Sequence, residues 1–313
     1  MNIMELKGKE GDRLEIVVIG TGSVGMLIAS FLSEYNDKVT LIPHRDEQGR
    51  NLQQYGLVRK NLDGTTTKTK INVRSDLSGL SKNSLVIIAV KYGQLQKVYE
   101  KLTTLEPTIP LLFLQNGLAH LEEVDSLPQQ SIAFGSCQFG AQRENDITVF
   151  HRGQGVLKVA IKKGHSDQYN RLTESTNPLF QVTFVENAEK MLFEKALLNC
   201  FINPLTAVLE VNNGELVENP NTYRLLKKLY KEMMAAFPEE ESRVSLLDVE
   251  NLCKRTASNT SSMLGDIKDN RPTEIETIVG EVIKRASKRG KTLPLLETLY
   301  LLVLAKEGRG EKM

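Results

Sequence analysis

Residues 14–19 read LEIVVI and run straight into Gly20-Thr21-Gly22-Ser23-Val24-Gly25, which is followed by the apolar stretch 26–32. No other feature restricts the fold of this chain as tightly. A short, unbroken apolar run suits a strand buried on both faces, and the stretch after the glycines suits a helix. In such a strand–turn–helix the first glycine permits the tight turn and the second lets the backbone approach a pyrophosphate. The third lets helix and strand pack closely. The helix N-terminus then presents N–H groups without intrahelical partners to phosphate oxygens. Glycines also occur in ordinary turns, but the complete context here predicts dinucleotide binding by Gly20, Thr21, Gly22, Ser23, Val24 and Gly25.

The pattern continues through the first half of the chain. Apolar runs at 38–42 (KVTLI), 84–90 (SLVIIAV) and 110–114 (PLLFL) read as further strands, the last two separated by the amphipathic stretch 94–105. Apolar strands alternating with helices imply a parallel sheet covered on both faces, an α/β architecture of Rossmann type. The Thr-rich piece 57–73, with Asp63-Gly64 at its turn, reads as a β-hairpin inserted in a crossover. Segments 131–139, 147–152, 155–161 and 181–185 read as more strands, the middle two antiparallel across Gly153. From about Asn187 the texture changes to helical periodicity, at 188–209, 222–237, 246–258 and 273–288. The expected organisation is therefore a dinucleotide-binding domain over 1–186 and an all-helical domain over 187–313 that completes the active site. The polar residues 1–13 are expected to form a loose extension.

Charge narrows the range of partners. Lys plus Arg (40) nearly balance Asp plus Glu (39), so no overall field recruits nucleic acid or a membrane surface. No apolar run approaches the length of a membrane span, and no transmembrane helix is expected. Cys137, Cys200 and Cys253 are far apart and lack metal-ligand spacing, so no metal is expected. With an odd cysteine count and no signal peptide, a reducing cytoplasm is the expected location. A small molecule is the expected partner of a chain that is a monomer or a homodimer.

Polar residues at strand ends point to a ligand crevice, because open parallel sheets bind ligands beyond the carboxyl ends of their strands. NAD binders usually place an acidic residue after the second strand; this chain has Pro43-His44-Arg45. A guanidinium there suits the 2′-phosphate of NADP, although a solvated loop arginine is the alternative. Lys91 follows the run 84–90 and Asn116 the run 110–114, where they would meet cofactor or substrate. In the second half Lys195, Asn199 and Asn203 recur every fourth residue among apolar neighbours. On a helix this spacing drifts only ~40° per step, so the three share a face. They either satisfy one another or line a cleft. A partly desolvated lysine suits a general acid that protonates the developing alkoxide of a ketone under reduction. Pro204 is expected to kink the helix or begin a new segment.

The whole pattern from Glu15 onward resembles the ketopantoate reductase (2-dehydropantoate 2-reductase) family. The glycine turn, Arg45, the lysine in VKYGQ (Lys91) and the asparagine of QNG (Asn116) match that family's N-terminal motifs. Lys195, Asn199 and Asn203 followed by PLTA, then Asn213-Gly214, and the segment from Ser261-Ser262-Met263 to Arg271-Pro272-Thr273-Glu274-Ile275 match the rest. The chain departs from the family in its N-terminal extension, in His44 where the basic cofactor residue sometimes lies, and in Gly265. The resemblance implies NADPH-dependent reduction of 2-dehydropantoate to pantoate, on the route to pantothenate and coenzyme A. It implies Lys195 as general acid with Glu274 beside it, and Asn116, Asn199, Asn203, Asn213 and Ser262 as substrate contacts. Reduction of another 2-keto or 3-keto acid, or a non-catalytic NADPH-binding sensor, are the alternatives.

Overall fold

The structure is a computed structural model that describes residues 14–307; the expected N-terminal extension lies outside the described residues. The chain divides into two compact units, one of residues up to Gln115 together with Glu123–Ala188, the other of Asn116–Glu122 and the residues from Glu189 onward.

The first unit is built on an eight-stranded sheet ordered β12-β11-β8-β7-β6-β1-β2-β5. These strands are β1 (Glu15–Ile19), β2 (Val39–Ile42), β5 (Asn72–Val73), β6 (Ser84–Ile88), β7 (Leu111–Phe113), β8 (Ile132–Cys137), β11 (Val156–Lys163) and β12 (Gln181–Val185). From β5 to β8 all neighbours are parallel, and β11 joins antiparallel to β8. Helix Ser23–Leu32, buried from Gly25 onward, and the amphipathic helix Leu95–Leu102 follow β1 and β6, as the alternating pattern requires.

A second sheet of four strands is ordered β4-β3-β10-β9, from β3 (Leu57–Lys60), β4 (Thr66–Thr69), β9 (Gly140–Arg143) and β10 (Thr148–Gly153). Two sequence expectations are corrected here. The hairpin is only β3 with β4, because β5 leaves it to pair parallel with β2. Nor do 147–152 and 155–161 pair across Gly153: β10 pairs with β9 and β3, while β11 crosses to β8 and β12 in the large sheet. The apolar side chains of β11 are needed in the larger core, where Leu157 and Val159 are fully buried. The small sheet covers helix Ser23–Leu32 through an aromatic stack. Phe31 lies 5.1 Å from Phe180, which lies 5.7 Å from Phe139, and the Arg59 guanidinium sits 3.9 Å over the Phe31 ring.

The second unit is helical: Ala188–Leu209, Pro220–Ala236, Leu246–Arg255, Ser262–Lys268, Glu281–Lys288 and Pro294–Glu307. Pro204 neither ends nor divides the first of these, which runs unbroken to Leu209. Proline costs that helix one backbone donor, but packing fixes it, since Phe201, Leu205 and Thr206 around the ring are fully buried. By length and composition this same helix is apolar enough to cross a membrane, contrary to the reading of its sequence, and two thirds of its most apolar window is buried inside the fold. It is the core helix of its unit. The expected helix at 273–288 begins instead with a π turn, Glu276–Gly280, and Glu274 stands at the bend before it.

Candidate active site

In the first unit the glycine turn has the geometry a phosphate requires. Gly20 follows β1 at φ +104°, and a Cβ there would fall 2.9 Å from the Ala89 carbonyl. At Gly25 a Cβ would lie 2.0 Å from the Gly20 carbonyl oxygen, so only glycine lets the helix start against the strand. Gly22 is exposed, with nothing within 4 Å of where its Cβ would be, and no side chain caps the helix that follows it. The first-turn N–H groups are thus accessible beside an open space, which fits a pyrophosphate. Ser23 and Val24 form the first turn, half-buried. Thr21 is buried and donates from Oγ1 to Gln48 Oε1 at 2.7 Å, while Gln48 Nε2 donates back to the Thr21 carbonyl at 3.1 Å. This clasp braces the turn, and the sequence carries no signal for it.

Arg45 follows β2 in extended backbone and precedes helix Asp46–Tyr55, to which its side chain gives no capping hydrogen bond; His44 beside it is exposed. The Arg45 guanidinium is about half exposed and ion-paired to Asp146, with Glu47 at 3.7 Å. Lys91 is exposed just beyond β6. Gln115 ties the ends of β6 and β7 together, donating from Nε2 to the carbonyls of Ile88 at 3.0 Å and Val90 at 2.9 Å.

The second unit holds the remaining residues. Lys195, Asn199 and Asn203 lie on helix Ala188–Leu209, the first two half-buried and the third buried. Asn116 belongs to this unit, although the residue before it belongs to the other. Its Nδ2 donates to Glu274 Oε2 at 2.9 Å. The next two residues fasten the segment down: Leu118 N–H donates to the Thr277 carbonyl at 3.1 Å, and Gly117 (φ +83°) approaches so closely that a Cβ would stand 2.2 Å from that oxygen. The glycine of QNG is therefore what lets Asn116 reach Glu274. Thr273 N–H donates to Glu307 Oε1 at 2.8 Å, which fixes the backbone just before Glu274.

Asn213 is buried and donates from Nδ2 to Thr256 Oγ1 at 2.9 Å. Its Oδ1 is buried and accepts no hydrogen bond among the described residues, which leaves an acceptor to be satisfied. Ser262 is exposed in the first turn of its helix. Ser261 before it is buried: its Oγ receives Thr206 Oγ1 at 2.7 Å and caps the helix by accepting from Leu264 N–H at 3.2 Å. Thr206 therefore ties the lysine-bearing helix to the Ser262 turn, a link that neither spacing nor resemblance reveals. Cys200 lies in the same helix, and burial pushes its thiol well above the ordinary range. Among the described residues no group of His, Cys, Asp and Glu is arranged to hold a metal ion.

A Rossmann-type unit with an open glycine turn, joined to a helical unit that carries a lysine, a carboxylate and a set of amides, defines an oxidoreductase that takes a nicotinamide cofactor. Residues 16–164 match the family Ketopantoate reductase PanE/ApbA, and residues 187–307 match Ketopantoate reductase PanE/ApbA C terminal. The chain belongs to this ketopantoate reductase family. It is 36% identical over 302 residues to the 2-dehydropantoate 2-reductase of Listeria innocua, covering 95% of this chain and 98% of that one. To the enzyme of that name from Bacillus subtilis it is 34% identical, covering 96% and 100%. A crystal structure of the probable 2-dehydropantoate 2-reductase from Bacillus subtilis superposes with a TM-score of 0.80 at 32% identity, covering 94% of this chain and 100% of that chain.

Proposed function

We propose that this chain reduces 2-dehydropantoate to pantoate, the reaction its relatives are named for, that NADPH is the reductant, and that Lys195 is its general acid. The observation that carries the assignment of roles is the Asn116–Glu274 hydrogen bond, in the same unit as the helix bearing Lys195, Asn199 and Asn203. Gly20 through Gly25 hold the pyrophosphate, Arg45 the 2′-phosphate and Lys91 the cofactor's polar groups. Asn199, Asn203, Asn213 and Ser262 hold the substrate's carboxylate and hydroxyl.

A reduced nicotinamide cofactor held at the glycine turn would be the source of the hydride for the keto carbon. The keto oxygen takes its proton from the Lys195 ammonium, whose charge also stabilises the developing alkoxide, and solvent then reprotonates the amine. Glu274 is held by Asn116 and orients the substrate, and Asn116 serves both cofactor and substrate. The domain limits 1–186 and 187–313 follow the same division of labour. A cytoplasmic enzyme, monomeric or homodimeric, with no nucleic-acid or membrane partner, completes the reading.

Lys195→Ala separates the role of this residue from cofactor binding. Turnover should fall by about 10²–10⁴-fold, while NADPH affinity, read by fluorescence titration, should stay within about twofold. A variant that keeps its turnover would remove Lys195 from the chemistry, and one that loses NADPH would move it to the cofactor.

A further inference from the structure

Asp146 lies in the turn between β9 and β10, distant in sequence from every motif that marks the cofactor site. Its carboxylate is the main partner of the Arg45 guanidinium, and Asn51 Nδ2 approaches its second oxygen at 3.4 Å. Its backbone carbonyl accepts from Gln48 Nε2 at 3.1 Å, the same amide that clasps Thr21 in the glycine turn. One buried side chain therefore sets both the phosphate-binding turn and the place of Asp146. Glu47 adds a second carboxylate beside the guanidinium, at 3.7 Å.

We propose that Asp146 is a specificity-determining residue for the cofactor: its carboxylate competes with the 2′-phosphate of NADPH for Arg45 and holds the preference for NADPH over NADH below what Arg45 alone would give. The proposal rests on the assignment of Arg45 as the residue that meets the 2′-phosphate. A phosphate dianion approaching this guanidinium finds it already neutralised and meets two like charges. The 2′-hydroxyl of NADH brings no charge and can donate a hydrogen bond to a carboxylate. Asparagine at 146 keeps the shape and the acceptor but removes the charge.

The test is calorimetric titration of the wild-type chain, Asp146→Asn and Arg45→Ala with NADPH and with NADH, without substrate. Asp146→Asn should bind NADPH about three- to tenfold more tightly and NADH no better than before. The difference should shrink at high salt. An unchanged or smaller ratio of the two affinities in Asp146→Asn overturns the proposal, and so does loss of both cofactors, which would make the carboxylate a structural element of the turn. Arg45→Ala distinguishes the two levels. If it weakens NADPH while Asp146→Asn changes nothing, only the role of Asp146 fails. If it leaves NADPH affinity intact, the reading of Arg45 fails and takes this proposal with it.

Discussion

His120 is fully enclosed, and burial alone pulls its imidazole from the ordinary 6.5 down to about 4. Between those values the unfolded chain takes up a proton that the folded chain refuses. The stability due to the neutral ring is complete above about 6.5 and is lost as pH falls toward about 4, on the order of 3 kcal/mol in all. Thermal unfolding across that range should show the acid loss, and His120→Gln should flatten it; an identical acid limb in the variant would assign the loss to other groups. At this scale the sequence was unevenly legible. Lys195, Asn199 and Asn203 announce themselves by helical spacing, and Gly20 to Gly25 by the strand before and the helix after. Asn213, Ser262 and Glu274 are isolated polar residues at element ends, so only resemblance singles them out. Asp146 could not be found, because its bond to Arg45 joins positions 101 residues apart.

At the scale of elements, helix Ser23–Leu32 links packing to the proposed cofactor site. Its first turn follows the glycine turn proposed to hold the pyrophosphate, and its last turn carries Phe31, fully buried against Phe180, Phe139 and His151. Phe31→Ala should cost about 3–5 kcal/mol of stability, measured by chemical denaturation. A loss under 1 kcal/mol would mean that the stack contributes little beyond what the rest of the core supplies. The apolar strands and the long helices were legible because burial on both faces, or along one stripe, writes itself into the sequence. The pairing of β9 and β10 was not. β9 reads GAQR and leaves its last two residues exposed, so no alternation marks it as a strand. Which sheet takes β11 is decided by the core it fills rather than by the turn before it. Pro204 misled for a related reason, since local propensity ends a helix that tertiary packing keeps.

Across the whole molecule, near balance of 40 basic and 39 acidic residues leaves recognition of anions to particular places, and those proposed are the glycine turn, Arg45 and Lys91 in one unit and Lys195 with its amides in the other. The two family matches cover residues 16–164 and 187–307, so both parts of the chain belong to the same family. The most direct test is steady-state oxidation of NADPH by the purified chain with 2-dehydropantoate, run beside other branched 2-keto acids and with NADH in place of NADPH. The account predicts a kcat/KM for 2-dehydropantoate with NADPH at least about 10²-fold above that for any keto acid lacking the substrate's hydroxyl, and weaker activity with NADH. Equal turnover of the other keto acids, or none of 2-dehydropantoate, would contradict it.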